Sequence, residues 1–133
     1  MCSGGMIGSG MDMVQNMSNA VMADATGKGN AKTIRSVAKL EASNIKKQGK
    51  RNASSARAAA AENGLDIDVG SAALIQDEHI GNAEYDAAMT ESNANYQAKV
   101  VRRQAKQQRN NYGWAAASNV VDMGAQYMTG GWK

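Results

Sequence analysis

Small and apolar residues recur every eleven positions along two stretches of the chain. In the first stretch, two such rows are Ile34, Ile45 and Ala56, and Ala38, Gly49 and Ala60. In the second stretch, the rows are Leu74, Tyr85 and Tyr96, and Met89 and Val100. A period of eleven corresponds to about 3.67 residues per turn, which favours nearly straight or slightly right-handed helix packing. The pattern predicts two long helices with these rows in the seam between them, although the small residues of the first helix would also let another helix approach closely.

Local signals set the predicted limits of the two helices. The first is expected over about residues 30–63, because Gly64 is a typical residue just beyond a helix C-terminus. The second is expected over about residues 71–110, from Ser71 as the N-cap to the residues before Tyr112 and Gly113. Residues 64–70 alternate apolar and acidic side chains, which indicates an extended loop or a short strand.

These limits predict an all-α fold: a long helical hairpin with additional terminal helical segments, assembling as an oligomer. The predicted parts are a Gly/Met-rich N-terminal segment (1–29), the hairpin (30–110, turn near 64–70) and an aromatic-flanked C-terminal segment (111–133). An antiparallel hairpin that turns near Ile67 pairs positions whose numbers sum to about 134. This register predicts that Asp77 lies near Arg57 and that Glu84 lies near Lys50.

Composition adds the expectation of an oligomer. Leu, Ile and Val together make up only 17 of 133 residues, and Phe is absent, whereas a well-cored domain holds about 20% of these four types. The absence of Pro and the abundance of Ala favour helices that need only a narrow apolar stripe, and they almost exclude an all-β fold. The predicted register also sets Lys99, Arg102, Arg103 and Lys106 near Lys28, Lys32 and Arg35, so these ends should seek another subunit or partner.

Charge is arranged in blocks behind a net charge of only +3. Residues 24–62 hold nine Lys or Arg against three acids, residues 63–91 hold seven acids and no Lys or Arg, and residues 92–110 hold five bases and no acid. Such blocks indicate either disorder or faces directed at partners. The candidate basic surface for subunit or DNA contact, with a solvated surface as the alternative, comprises Lys32, Arg35, Lys39, Lys46, Lys50, Arg57, Arg102, Arg103, Lys106 and Arg109. The acids Asp77, Glu84 and Glu91 share a helical stripe with Arg102 and Arg109.

The two ends are weakly charged and carry aromatic or Met residues at helical spacing. Aromatic residues at both ends of a weakly polar segment are typical of interfacial anchors. The candidate membrane or interfacial residues are Met6, Met13, Met17, Val21, Tyr112, Trp114, Val121, Met128 and Trp132. The alternative is that these ends pack on the hairpin or on a sister subunit. Because Asp12 and Asp122 interrupt the segments, insertion into a bilayer would require an oligomer that turns these acids toward a polar lumen or a sister chain.

Motifs for catalysis or cofactor binding are absent from the sequence. Gly27-Lys28 lacks the first Gly and the Ser or Thr of a phosphate loop, and Ser71 stands where a calcium loop that begins at Asp66 needs Gly. One Cys and one His provide no disulfide, zinc or triad set. We therefore expect no enzymatic activity, no cofactor and no metal. The first 23 residues lack the features of a secretory signal, and no apolar run is long enough for an ordinary transmembrane helix.

One known family shares this order of segments. A Met-Cys start leads into a Gly/Ala/Met-rich segment and a Lys/Gln/Ala helix; then come Arg-Ala-Ala…Gly-Leu-Asp-Ile-Asp-Val-Gly-Ser (57–71), Ala-Leu-Ile-Gln (73–76) and Glu-Tyr-Asp-Ala (84–87), followed by a Gln/Arg-rich helix and a small-residue tail. In these features the chain resembles the small internal virion, or ejection, proteins of short-tailed bacteriophages. The resemblance covers most of the chain, and its most specific part is the turn.

The resemblance implies a non-enzymatic podovirus ejectosome component, packaged inside the capsid or at the portal and tail, and expelled into the host cell envelope. There such proteins help to form a channel for the genome, and the smallest member is associated with the outer membrane. The implied partners are sister subunits, other internal virion or tail proteins, the outer membrane and the passing DNA. Two alternatives stay open: a structural tail or portal-associated adaptor, and a DNA-binding packaging protein.

Overall fold

The computed structural model describes residues 4–130, without the side chains of residues 4–9, 123, 126, 127 and 130. It contains two helices, α1 (Gly4–Glu62) and α2 (Ser71–Gly130), which pack against each other as a hairpin. Residues 63–70 connect them, and no strand occurs between residues 4 and 130. The predicted all-α hairpin is thus confirmed, whereas its assembly as an oligomer stays a prediction.

The hairpin divides into two compact units. One unit is Lys32–Ala98, which includes the connection between the helices, and we call it the turn unit. The other combines the chain up to Ala31 with the chain from Lys99 onward, and we call it the terminal unit. Both helices run through both units, so each unit is a pair of antiparallel helical segments.

The terminal segments are parts of the two long helices and not separate helices. Helix α1 extends well before the predicted start near Asn30, and α2 continues past the predicted end near Asn110, through Gly113. The chain has no Pro to interrupt either helix. The eleven-residue rows also continue into the ends: Asn16 is half-buried and Ala116 is buried. A helix that keeps a packing face in this way tolerates an internal Gly.

The predicted helix stop at Gly64 is confirmed. Gly64 has a φ of 72°, a left-handed conformation that glycine adopts without strain. The N–H of Leu65 donates to the carbonyl of Ala60 (3.0 Å), and the N–H of Gly64 donates to the carbonyl of Ala61 (3.0 Å). This pair of hydrogen bonds is the Schellman arrangement, which satisfies carbonyls that the end of a helix otherwise leaves without partners.

The connection between the helices is a loop without strand structure. The side chain of Arg57 pairs with Asp68 (3.2 Å), and the N–H of Asp68 donates to Asp66 Oδ1 (3.1 Å). Gln76 Nε2 donates to the carbonyl of Ile67 (3.0 Å), which ties the loop to the first turn of α2.

The predicted N-cap at Ser71 is wrong by one residue. The first helical hydrogen bond of α2 runs from the N–H of Leu74 to the carbonyl of Gly70, so Gly70 occupies the cap position. Gly70 has a φ of 79°, so the reversal of the chain ends on a conformation that favours glycine.

The seam between the helices consists of the smallest side chains. Every buried residue in the described part of the chain is Ala or Gly. In α1 these residues are Gly27, Ala31, Ala38, Ala42, Gly49 and Ala53. In α2 they are Ala72, Ala83, Ala87, Ala94, Ala98, Ala105 and Ala116. Along α1 the seam residues are spaced alternately four and seven positions apart. These two steps together make the eleven-residue period, so the seam stays on one side of the helix.

The position of two glycines defines the register. A Cβ added at Gly27 would overlap the Cβ of Ala105, and one added at Gly49 would overlap the Cβ of Ala83. Both pairs sum to 132 and not to the predicted 134. The helices are thus displaced by two residues from the predicted register, and Arg57 pairs with Asp68 and not with the predicted Asp77.

Only one of the predicted rows lies fully in the seam. Ala38 and Gly49 are buried and Ala60 is half-buried, whereas the row from Ile34 to Ala56 is half-buried beside them. The rows of α2 do not belong to the seam: Leu74, Tyr85 and Tyr96 are each exposed by two thirds or more of their surface, at 69%, 66% and 69%, and Met89 is also exposed while Val100 is half-buried. Helices that approach at Gly and Ala leave no space for larger side chains, which stay outside.

We expect opposite effects on stability from the same substitution at Gly49 and Gly81. Alanine removes the cost of a helical glycine, about 1 kcal/mol, at both positions. At Gly81 the new Cβ meets nothing within 4 Å, so Gly81→Ala should stabilise the hairpin. At Gly49 it would overlap Ala83 and lie 3.1 Å from the carbonyl of His79, so Gly49→Ala should destabilise by about 1–3 kcal/mol. Thermal unfolding followed by circular dichroism measures both, and an equal rise in Tm would contradict the close seam.

Candidate functional site: the charged face of the hairpin

The turn unit has two different faces, one on each side of the seam. On one side a shallow groove is lined by Lys39, Ser43, Lys46, Lys47, Lys50 and Glu91, and we call this side the charged face. On the other side a groove is lined by Thr33, Ile34, Val37, Ala38, Glu41, Thr90, Asn93, Ala94 and Gln97, and we call this side the neutral face. The seam residues between the grooves fix which side chains reach each face.

The eleven-residue repeat places the basic residues of α1 on the charged face. Lys39 and Lys50 directly follow the seam residues Ala38 and Gly49, and one residue step turns the helix by about 100°. Arg35 and Lys46 precede the same seam residues by three positions and reach the same side. By this placement the charged face holds all six predicted bases of α1: Lys32, Arg35, Lys39, Lys46, Lys50 and Arg57. Arg35 is half-buried and the other five are exposed.

Helix α2 brings acidic residues to the same face. Glu91 lines the charged groove together with the lysines. Glu84 directly follows the seam residue Ala83, and Asp77 lies two turns further toward the loop, on the stripe that these acids share. Within the turn unit, α1 carries eight Lys or Arg and two acids, whereas the α2 segment carries five acids and no Lys or Arg.

These opposite charges are barely paired inside the chain. In the described part of the turn unit, the ion pair is that of Arg57 with Asp68. The predicted pair of Glu84 with Lys50 does not form. The charged face has instead a hydrogen bond from Arg35 Nε to Asn95 Oδ1 across the seam (3.1 Å). The face therefore presents separate rows of positive and negative charge.

In the terminal unit the charge is mostly positive. The α2 segment contributes Lys99, Arg102, Arg103, Lys106 and Arg109, all exposed. Asp24 of α1 forms a short ion pair with Lys28 (2.7 Å). The hydrogen bond from Lys28 holds the pKa of Asp24 below its ordinary value of 3.8. Partial burial of the carboxyl acts in the opposite direction, and the charges of Lys28, Arg109 and Arg102 lower the pKa further.

Most of the predicted interfacial residues whose side chains the structure describes are exposed. Exposed side chains are Met17, Val21, Trp114, Val121 and Met128, with Trp114 exposed by 78% and Met128 by 81% of their surface. Met13 is half-buried. The side chain of Met6 and the whole of Trp132 lie beyond what the structure describes.

These exposed residues share one flank of each helix. Trp114, Ala117, Val121, Ala125 and Met128 have the spacing of one helical face, as predicted, and all five are exposed. On α1, Met17 and Val21 precede the seam residues Gly27 and Ala31 by ten, nearly a full repeat. By this spacing they lie on the flank that Lys28 continues along α1. The terminal unit thus combines an apolar patch with basic residues.

Tyr112 does not belong to this patch. It is only 37% exposed and lines a groove on the opposite side of the seam, together with Asn19, Met22 and Gln108. Sequence spacing alone grouped Tyr112 with Trp114, but two residues along a helix differ by about 200° in direction.

No described helix is both long and apolar enough to cross a membrane.

Among the described residues, no group of three or more His, Cys, Asp or Glu could hold a metal ion.

Comparisons with known proteins do not identify the chain. No protein-family model matches the chain, and no curated protein and no solved structure is similar to it. The features of the chain that bear on its function are the two faces and the apolar patch.

Sequence reasoning missed the neutral face and the exposed row on α2. The groove with Thr90, Asn93 and Gln97 was not a candidate, because uncharged polar residues carry no strong signal. A usable signal was present, however: Ala stands at each of positions 72, 83, 94, 105 and 116. This unbroken row identifies the seam of α2 and leaves Leu74, Tyr85 and Tyr96 outside it.

We expect the pKa of Asp24 to depend on Lys28. A lowered pKa means that the carboxylate stabilises the fold at neutral pH and that this contribution is lost as the pH falls from 3.8 through the lowered value. Lys28→Gln should return the pKa toward 3.8, whereas Lys99→Gln, which removes a similar charge from α2, should leave it nearly unchanged. Carboxyl NMR titration measures both variants, and equal shifts would contradict the local hydrogen bond as the main cause.

Proposed function

We propose that the chain is a non-enzymatic bacteriophage virion protein that is expelled into the host envelope, where it oligomerises and helps to form a channel for the genome. It would lie inside the capsid or at the portal before infection, and it would associate with the outer membrane afterwards. Its partners would be sister subunits and other internal virion or tail proteins. The resemblance to ejection proteins motivates this proposal.

The observation that carries the proposal is the apolar patch of the terminal unit. Val21 and Trp114 are largely exposed, and Lys28 and Arg102 lie on the same sides of their helices. A surface that combines Trp and aliphatic side chains with basic residues suits the boundary between lipid headgroups and acyl chains. Anionic lipid would attract the bases, and the apolar side chains would enter the boundary region.

The turn supports the proposal in a second way. The stretch that carries the most specific part of the resemblance, residues 57–71, forms one closed structural motif. It begins with the ion pair of Arg57 and Asp68 and contains both left-handed glycines, Gly64 and Gly70. The stretch on which the resemblance chiefly depends is therefore the one that reverses the chain.

We expect the patch to bind vesicles of anionic phospholipid. In a Trp132→Phe background, the emission of Trp114 should shift to the blue when vesicles are added, and the vesicles should leak. Val121→Asp should abolish both effects, because it places a charge within the patch. Leu40→Asp is the matched control: Leu40 is similarly exposed, at 66% against 69% for Val121, but it belongs to the turn unit.

Two results would contradict the membrane role. One is the absence of both blue shift and leakage under conditions in which the protein oligomerises. The other is equal loss of binding in Val121→Asp and Leu40→Asp, which would show that any added charge interferes. A variant that ends at Asn111 should also fail to cause leakage, since it lacks Trp114 and Val121.

A DNA-binding role is a second candidate, and the excess of bases in the terminal unit favours it. Arg102 and Arg109 are both exposed, and both lower the pKa of Asp24 on α1. Binding of duplex DNA that weakens steeply with salt would support this role. Detection of the protein in full and emptied particles separates both roles from an adaptor, which would remain in the particle.

A further inference from the structure

The lysines of α1 and the acids of α2 on the charged face form no ion pair with each other in the described part of the turn unit, and they fit a second copy of the same chain. We propose that two chains dock through their charged faces, around a two-fold axis parallel to the helices, so that α1 of each chain lies against α2 of the other. This proposal deepens the self-association included in the proposed function and rests on that part of it. It concerns the turn unit, Lys32–Ala98.

Both rows of charge must lie on one face for such docking, and the structure meets this condition. Lys39, Lys46 and Lys50 of α1 line the same groove as Glu91 of α2. The hydrogen bond between Arg35 and Asn95 crosses the seam on this side. One face therefore presents a positive row and a negative row side by side, at the separation of two packed helices.

A two-fold axis parallel to the helices exchanges the two rows. Rotation by half a turn about an axis above the charged face sets the positive row of one chain over the negative row of the other. Because the operation is symmetric, the same contact forms twice. A two-fold axis perpendicular to the helices and lying across the face would instead set α1 on α1 and α2 on α2. That arrangement opposes like charges and is disfavoured.

The register of the seam also brings the charges to the same height. Rotation about a parallel axis does not shift a residue along the helix, so a position of α1 still lies level with the α2 position that completes 132. Glu84 is then level with position 48 of the partner chain, between two lysines at 47 and 50. Glu91 is level with position 41, two residues from a lysine at 39. Asp77 is level with position 55, two residues from an arginine at 57.

Each acid of the row thus lies within one helical turn of a base in the partner chain. The side chains that line the groove on this face are polar or charged. An interface of this kind is sensitive to ionic strength, because salt screens exposed charges beyond about 10 Å at 0.1 M. The wild-type dimer should therefore weaken as salt is added.

The test uses two full-length variants with opposite reversals of charge. The acidic variant reverses the α1 row and carries Lys39→Glu, Lys46→Glu and Lys50→Glu. The basic variant reverses the α2 row and carries Asp77→Lys, Glu84→Lys and Glu91→Lys. Each variant then has two rows of the same sign, so each should remain monomeric by sedimentation velocity at a concentration at which the wild type dimerises. An equimolar mixture should restore a dimer, because each row again meets the opposite charge.

Circular dichroism shows whether each variant keeps the hairpin, and the salt dependence of the wild-type dimer provides a measurement that needs no variant. The charged-face interface would be overturned, and self-association left intact, if both variants dimerise as tightly as the wild type. The same conclusion would follow if the wild-type dimer is insensitive to salt. A mixture of folded variants that stays monomeric would overturn it as well. A wild type that is monomeric at low salt would contradict both this interface and the self-association, whereas membrane binding would be judged by the vesicle experiment.

Discussion

The close approach of two helices along glycine and alanine is the constraint on which the rest of this structure depends. No side chain larger than a methyl group is buried in the described residues, so the seam provides little apolar area. What it provides is a fixed distance, register and side for every other residue. Gly27 and Gly49 enforce this at two points, where an added Cβ would overlap an alanine of α2.

Two consequences follow from such a narrow seam. The large apolar side chains have no interior to enter, so residues such as Leu40, Tyr96 and Trp114 remain on the surface. The charges, in turn, are sorted by their distance from the seam residues, which brings the lysines of α1 and the acids of α2 to one face. The chain therefore exposes large apolar side chains and rows of charge together, which is the kind of surface that the proposed assembly requires.

The sequence was sufficient to predict two long helices, the turn and the helix stop, because those depend on local signals, but it did not predict that both helices continue through the terminal segments. Gly64 and the absence of Pro act within a few residues, and the structure agrees with them. The basic row of α1 was also predictable, since it requires only the helical period. The seam row of α2 was missed because Tyr85 and Tyr96 repeat with the same period as the alanines, although only the alanine row is unbroken along the helix. The register depends on contacts such as that of Gly49 with Ala83, which no local pattern specifies.

The two helices pack in a register in which the numbers of paired positions sum to 132. Distances between spin labels on the two helices measure this register directly. In a Cys2→Ser background, labels at Gln48→Cys and Asn82→Cys would lie nearly level on exposed positions of the turn unit. Labels at Gln48→Cys and Asn93→Cys would lie nine residues away from level, which is about 13 Å along the helix. With labelled chains diluted in unlabelled protein, the account predicts a short distance for the first pair and a clearly longer one for the second. A first pair as distant as the second, or more distant, would contradict it.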